Sequence, residues 1–391
     1  TMELKTVLLI TPFLPFPLRS GGQVKIFNSL KGLSQKYDII LLSFIENIEQ
    51  EKYIPELNKL CKKVFTILRH PSWHCLFNKI SLPVFIKYFY SKEMEEKLKQ
   101  CLEDFNIDLV QIEYINMAYY AKFIPHIPKI LVEHDTSVYT LTNSYEKLVF
   151  GKIFQFFDWL NWRRFQKRIY SYFDKIVTFT EEDSRIIQNA APQNKISIIP
   201  IGIDLASYEF SEDNEKTIDI LFVGHMLHYP NIDGLSYFNS KIFPLIQREI
   251  PDIKFYIIGS GIKQANFEIK KDSNIELIGE VEDIKPYLLK TKVMVVPIRL
   301  GGGIKVKILE AMAMGVPVVA TGTAIRGLKV VPGKDIYVAD TPRDFTSGVL
   351  NLLQDETKRI TMAKNARDII KKYYDTSKIA YQEKSLYNNL I

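Results

Sequence analysis

Cysteine is scarce in this chain of 391 residues, and Cys61, Cys75 and Cys101 are its full complement. The number is odd and no Cys-x-x-Cys pair occurs, so neither a disulfide framework nor a structural zinc site has the residues it needs. His70 and His74 stand four apart with Cys75 adjacent, but Pro71 interrupts any helix there and a surface loop is the better reading. No Asp-x-Asp sequence occurs, which leaves a divalent-cation site of that spacing without a candidate. Long hydrophobic runs are also missing, since nothing approaches the roughly 18 to 20 residues of a membrane span. The apolar run 7–10 is too short for the core of a secretion signal, and a cytoplasmic chain is expected. RNA-binding signatures and zinc-finger or recognition-helix spacings are absent, which argues against a nucleic-acid partner. Charge is nearly balanced at 51 Lys+Arg against 45 Asp+Glu, a net +6. That excess is compatible with an anionic substrate or an anionic lipid surface and decides little by itself.

What is present is a globular composition, 47% hydrophobic and 25% charged, in a chain too long for one core. Short apolar runs recur at 7–10, 39–42, 64–67, 109–112, 130–132 and 176–179, with helical patterns between them. The rhythm resumes at 220–223, 254–258, 275–278, 293–298 and 316–320. Strands alternating with helices predict parallel sheets. A polar, aperiodic run at 211–217 marks the linker region. We therefore expect an α/β protein of two doubly wound, Rossmann-like domains facing a central cleft: an N-terminal domain over 1–205 and a second over 206–372. A C-terminal helix over 373–391 is expected to pack back on the first domain.

Two glycine loops follow strands in this scheme. Ser20-Gly21-Gly22-Gln23-Val24-Lys25 opens the first helix, after a stretch holding Pro12, Pro15 and Pro17. The richer one runs from Gly301-Gly302-Gly303-Ile304-Lys305 into Ile308-Leu309-Glu310-Ala311-Met312-Ala313-Met314-Gly315-Val316-Pro317. Glycines let backbone N–H groups approach an anion, a helix N-terminus favours negative charge, and Lys305 adds a full positive charge. Glu310, further along the same helix, suits a ribose or sugar diol. A nucleoside diphosphate presents both features. Glycine turns and solvated glutamates are common, however, and this segment alone is equally compatible with an ordinary turn and a surface helix.

Further segments set these loops in an ordered series. They are Val132-Glu133-His134-Asp135, residues 177–183, Ile199-Pro200-Ile201-Gly202-Ile203-Asp204, Phe222-Val223-Gly224, Ile257-Ile258-Gly259-Ser260-Gly261, residues 277–283 and the block from Glu310 to Val319. The series resembles the retaining GT-B glycosyltransferases of family 4, group 1, over essentially the whole chain. The resemblance implies a nucleotide-sugar donor of the UDP or GDP type and a saccharide or lipid-linked acceptor. It implies that Gly22 brings backbone close to donor phosphate or acceptor, and that His134 faces the donor sugar. Glu310 matches the second glutamate of the family's Glu-x7-Glu motif, which binds the ribose, and Val281 falls where backbone brackets the base. Gly302, Gly303 and Ile304 belong to the donor loop. There are departures. Gly302 stands where the motif's first glutamate is expected, and His225 replaces the usual arginine after the first strand of the second domain, whose lysine is also missing. Lys305 and Arg299 are the candidates to supply the displaced charge to the leaving diphosphate.

No nucleophile-and-acid pair of carboxylates is evident, and in the resembling family the departing phosphate helps deprotonate the acceptor on the same face of the sugar. Retention, metal independence and a role in cell-surface polysaccharide or glycolipid synthesis are implied by the resemblance, with no cofactor beyond the nucleotide-sugar co-substrate. Two other functions remain open: a GT-B nucleotide-sugar epimerase using Glu133 and Asp135, and a nucleotide-sugar binding protein without turnover. Residues 147–173 interleave Phe150, Phe154, Phe156, Phe157, Trp159, Trp162 and Phe165 with Lys152, Arg163, Arg164, Lys167 and Arg168, and 77–90 is a second basic, aromatic stretch. Both fit peripheral contact with an anionic membrane, and a buried helix with a solvated cationic face fits the first equally.

Overall fold

The computed structural model describes residues 4–69, 82–134, 136, 151–192, 195–208, 210, 215–262 and 273–391, with 84–85 and 151–159 described by their backbone. The chain forms two compact units. One comprises Thr1–Leu18, Gly22–Pro200 and Ile379–Ile391, the other Arg19–Gly21 and Ile201–Lys378. The division falls at Pro200, a few residues before the expected boundary at 205. Of the expected linker, 211–214 lie outside the described residues, as do His70, Pro71, His74, Cys75 and Asp135.

The first unit is built on β1 (Thr6–Thr11), β2 (Asp38–Ile45), β3 (Lys63–Leu68), β4 (Leu109–Glu113), β5 (Lys129–Val132), β6 (Lys175–Thr178) and β7 (Ile196–Ile198). Their order is β3-β2-β1-β4-β5-β6-β7 and every pairing is parallel. Val7, Leu8, Leu9 and Ile10 are all buried, the continuous pattern required of a strand covered on both faces. Around the sheet lie α1 (Gly21–Leu33), α2 (Lys92–Asp104), α3 (Gly151–Tyr170) and α4 (Glu181–Gln188). In α2, the Ser91 side chain caps the Met94 N–H, and Met94, Leu98 and Cys101 bury one stripe at helical spacing. In α3, Trp162, Phe165, Ile169 and Tyr170 enter the core while Arg163, Arg164, Lys167 and Arg168 stay exposed. The described half of that helix is therefore a core element with a solvated cationic face. The aromatic side chains of its first half, and residues 77–81 of the second basic stretch, lie outside the described residues.

The second unit carries β8 (Ile218–Val223), β9 (Phe255–Ile258), β10 (Ile275–Gly279), β11 (Thr291–Val296), β12 (Val318–Ala320) and β13 (Tyr337–Val338). Their order is β10-β9-β8-β11-β12-β13, again all parallel. Its helices include α5 (Tyr229–Tyr237), α6 (Val306–Ala313), α7 (Pro342–Gln354) and α8 (Glu356–Tyr373). Helix α6 ends as its sequence dictates. Gly315 has φ +67°, the Val316 N–H reaches the Ala311 carbonyl at 2.8 Å, and the Gly315 N–H reaches that of Met312 at 3.1 Å. A side chain at Gly315 would meet the Phe210 ring.

The last helix, α9 (Thr376–Asn388), joins the first unit from Ile379 onward. There Tyr387 donates to Gln111 Oε1 at 2.6 Å and Ser29 Oγ donates to Glu383 Oε1 at 2.6 Å. Strand order reverses between β1 and β4 in one sheet and between β8 and β11 in the other. Ligands of open α/β sheets bind outside the carboxyl ends of the strands at such switch points. Among the described residues, no helix is long and apolar enough to cross a membrane.

Candidate functional site

At the switch point of the first unit a buried charge cluster forms on the end of β4. Glu113 is fully buried and accepts from Lys25 Nζ at 2.9 and 3.2 Å and from Gln111 Nε2 at 2.7 Å. Its second oxygen lies 2.5 Å from His134 Nε2, just past the end of β5. Burial opposes ionisation of this carboxyl, yet Lys25 and the bond to His134 outweigh it and hold the group at about 2. An ionised Glu113 can only accept, so Nε2 is the nitrogen that carries the proton. Tyr114 stacks on the His134 ring with centroids 3.7 Å apart and an 11° interplanar angle, and Phe179 meets the imidazole edge-on at 5.0 Å. Tyr114 itself sits at φ +69°, a conformation that costs a non-glycine residue of order 1–3 kcal/mol and that its neighbours must enforce. Gly22 lies against this tyrosine. A methyl group there would overlap the Tyr114 hydroxyl and come within 3.0 Å of Phe13 Cζ.

At the switch point of the second unit, β11 runs into the glycine loop, in which Gly301 (φ +87°) and Gly303 (φ +71°) have left-handed backbones and Gly302 does not. Ile304 is buried, and Lys305 stands at the N-cap of α6 with its Nζ turned onto the carbonyls of Gly302 and Gly303. One turn on, Glu310 Oε1 accepts from the Tyr208 hydroxyl at 2.8 Å. Burial pushes the Glu310 carboxyl up to about 7, against the downward pull of Tyr208 and Lys307. Burial and the neighbouring Glu310 carry the Tyr208 phenol well above its ordinary range, so it remains a donor. Lys307, between Lys305 and Glu310 on α6, donates to the Val223 carbonyl at 2.6 Å and to Asn231 Oδ1 at 2.8 Å. Burial, then the charge of Lys305, pulls its ammonium down to about 7.

Residues 217–355 match the family model of the glycosyl transferases group 1. An uncharacterized 44.6 kDa protein in the cps region of Klebsiella pneumoniae is 25% identical over 390 residues, 95% of this chain and 97% of that protein. Sucrose-phosphate synthase from Thermosynechococcus elongatus superposes with a TM-score of 0.74 at 15% identity, over 99% of each chain. The chain has the GT-B fold, and its residues 217–355 are similar to the glycosyl transferases group 1. Anabaena HepE, solved in complex with UDP, shares the fold with a TM-score of 0.66 at 14% identity, over 99% of this chain and 100% of that one.

The residues expected from sequence separate by unit. Gly22 and His134 belong to the first cluster, joined through Tyr114. Gly302, Gly303, Ile304, Lys305 and Glu310 share the α6 loop and helix. Val281 is half-buried, just past Gly279 (φ +87°) at the end of β10. Arg299, expected to supply charge to the diphosphate, lies just past the end of β11. It is exposed and already matched by Asp233, at 2.6 and 3.0 Å, with its guanidinium 4.3 Å from the centroid of the Tyr237 ring. His225, in the arginine's expected place, turns Nδ1 to Ser260 Oγ at 2.7 Å. Glu133, a candidate acid or base for an epimerase, is buried and accepts from the Tyr170 hydroxyl at 2.5 Å. Sequence reasoning gave no role to Lys25, Glu113, Tyr114, Tyr208 or Lys307.

Proposed function

We propose that the chain is a glycosyltransferase that transfers a sugar from a nucleoside-diphosphate sugar, of the UDP or GDP type, to a saccharide or lipid-linked acceptor, with retention and without a metal. The observation that carries the reading is Glu310. Its carboxylate is fixed by Tyr208 through one oxygen, in a helix opened by a glycine loop and two lysines. A ribose diol can donate to the carboxylate while the diphosphate takes backbone N–H groups and cationic charge. UDP in the HepE structure supports a nucleotide co-substrate, and the cps region in which the Klebsiella relative lies supports cell-surface polysaccharide synthesis.

In this reading His134 serves the transferred sugar as an Nε2–H tautomer set by Glu113, its ring held by Tyr114. Glu113 itself is a poor nucleophile or base, because Lys25, Gln111 and His134 occupy its oxygens and hold it ionised at about 2. With no carboxylate free to attack the anomeric carbon in that cluster, acceptor deprotonation falls to the departing diphosphate. Charge develops on that diphosphate as the glycosidic bond breaks. Thermal-shift screening against UDP, GDP, ADP and their sugars tests the reading, since ligand binding raises stability by mass action. One nucleoside diphosphate is expected to raise the melting temperature of the wild type and leave Glu310→Ala unmoved. A full shift in Glu310→Ala would remove the ribose assignment.

A further inference from the structure

The loop that follows β8, from Gly224 to Asp233, contains no lysine or arginine. The end of β8 is nevertheless not without a cation. Lys307 reaches it from α6, and its Nζ donates to the carbonyl of Val223, the last residue of β8, and to Asn231 in the first turn of α5. The amine therefore stands at the reversal of strand order between β8 and β11, the position at which this class of sheet receives its ligands. The two acceptors are neutral, and among the described residues no carboxylate lies within ion-pair distance of Lys307. A purely structural lysine at this depth would be expected to pair with an acid. An ammonium has three N–H donors, and these contacts commit two. The centroid of the Phe222 ring lies 5.1 Å from Nζ.

We infer that Lys307 is a binding residue for the donor diphosphate, a cation delivered from the helix after the glycine loop to the end of the strand whose own loop has none. The inference rests on the nucleotide-sugar reading above and adds a residue to it. Anion binding there compensates a half-buried cation, and the same contact neutralises the leaving group as the glycosidic electron pair moves onto the diphosphate oxygen. Charged groups that act on Lys307 are Lys305, at the start of the same helix, which lowers its affinity for a proton, and Glu310, which raises it. A bound diphosphate would favour the ammonium and so depend on pH near neutrality.

The test is the ratio of nucleoside to nucleoside-diphosphate dissociation constants, measured by calorimetry for the pairs uridine/UDP, guanosine/GDP and adenosine/ADP. The ribose and base are common to both members of each pair, so Glu310 and Val281 cancel from the ratio. Measurements run from pH 7 to 9, where the terminal phosphate is about nine-tenths ionised or more because its second pKa is about 6. For the pair that binds, the wild-type ratio should fall as pH rises, Lys307→Met should lower the ratio about tenfold at pH 7, and Lys307→Arg should keep it while removing its pH dependence. If Lys307→Met fails to fold, the wild-type and Lys307→Arg pH profiles decide alone. A wild type that binds the diphosphate with a pH-independent ratio, or a Lys307→Met ratio equal to it, overturns the role of Lys307 and leaves the functional reading intact. A wild type that binds no nucleoside diphosphate overturns both.

Discussion

Lys25→Met should unbalance the first unit more than any surface change, because it leaves Glu113 buried and short of its main counter-charge. Holding the Glu113 carboxyl at about 2 rather than 4.5 corresponds to roughly 3 kcal/mol of native-state stabilisation at neutral pH. Removing one member of a buried pair commonly costs about 3–5 kcal/mol, in the same range. For a domain of this size 3 kcal/mol is about 6–12 °C in melting temperature. The sign with pH follows from the depressed value. The contribution is complete above pH 4.5 and is lost as pH falls toward 2, so the gap between wild type and variant should be widest near neutrality and close in acid. Scanning calorimetry of the full chain at several pH values reads this directly. The double variant Lys25→Met/Glu113→Gln should recover part of the loss, since the uncompensated charge goes with it. A Lys25→Met melting temperature within about 2 °C of wild type at pH 7 would refute the energetic account of the cluster.

Gly22→Ala places a methyl on the Tyr114 hydroxyl, so it should cost about 1–3 kcal/mol and lower transfer by disturbing the ring stacked on His134. Adding Tyr114→Phe to that variant should restore part of both, as melting curves and initial rates would show, and no effect of Gly22→Ala on either would contradict the packing. Tyr208→Phe removes the bond that draws the Glu310 carboxyl down toward ionisation, so nucleoside-diphosphate affinity relative to wild type at the same pH should fall at pH 7 and recover as pH rises to about 8.5. An unchanged affinity across that range would detach Tyr208 from the site. Transfer should survive EDTA, and loss of activity restored by magnesium would disprove metal independence.

Most of the fold was legible because buried parallel strands write continuous apolar runs, as residues 7–10 and 293–296 do. β7 and β13 escaped notice since three residues and two residues at sheet edges carry too little pattern. The Gly301 segment was legible for a different reason, since loop, helix and Gly-Val-Pro break are contiguous in sequence. The charge clusters are not contiguous. Lys25 and Glu113 are 88 positions apart, and Tyr208 and Glu310 are 102 apart. Nothing in one sequence couples such pairs until the sheet brings strand ends together. Arg299 shows the converse, a cation plausible by position whose partner Asp233 lies 66 residues away.

The central claim is a nucleotide-sugar donor held through Glu310 and passed to an acceptor. It is tested most directly by measuring glycoside formed and nucleoside diphosphate released together, over a panel of UDP- and GDP-sugars with saccharide and lipid-linked acceptors. The account predicts one diphosphate per glycoside, the donor's anomeric configuration kept in the product, and a rate about tenfold or more lower in Glu310→Ala. Donor epimerised without acceptor, an inverted product, or Glu310→Ala kinetics equal to wild type would contradict it.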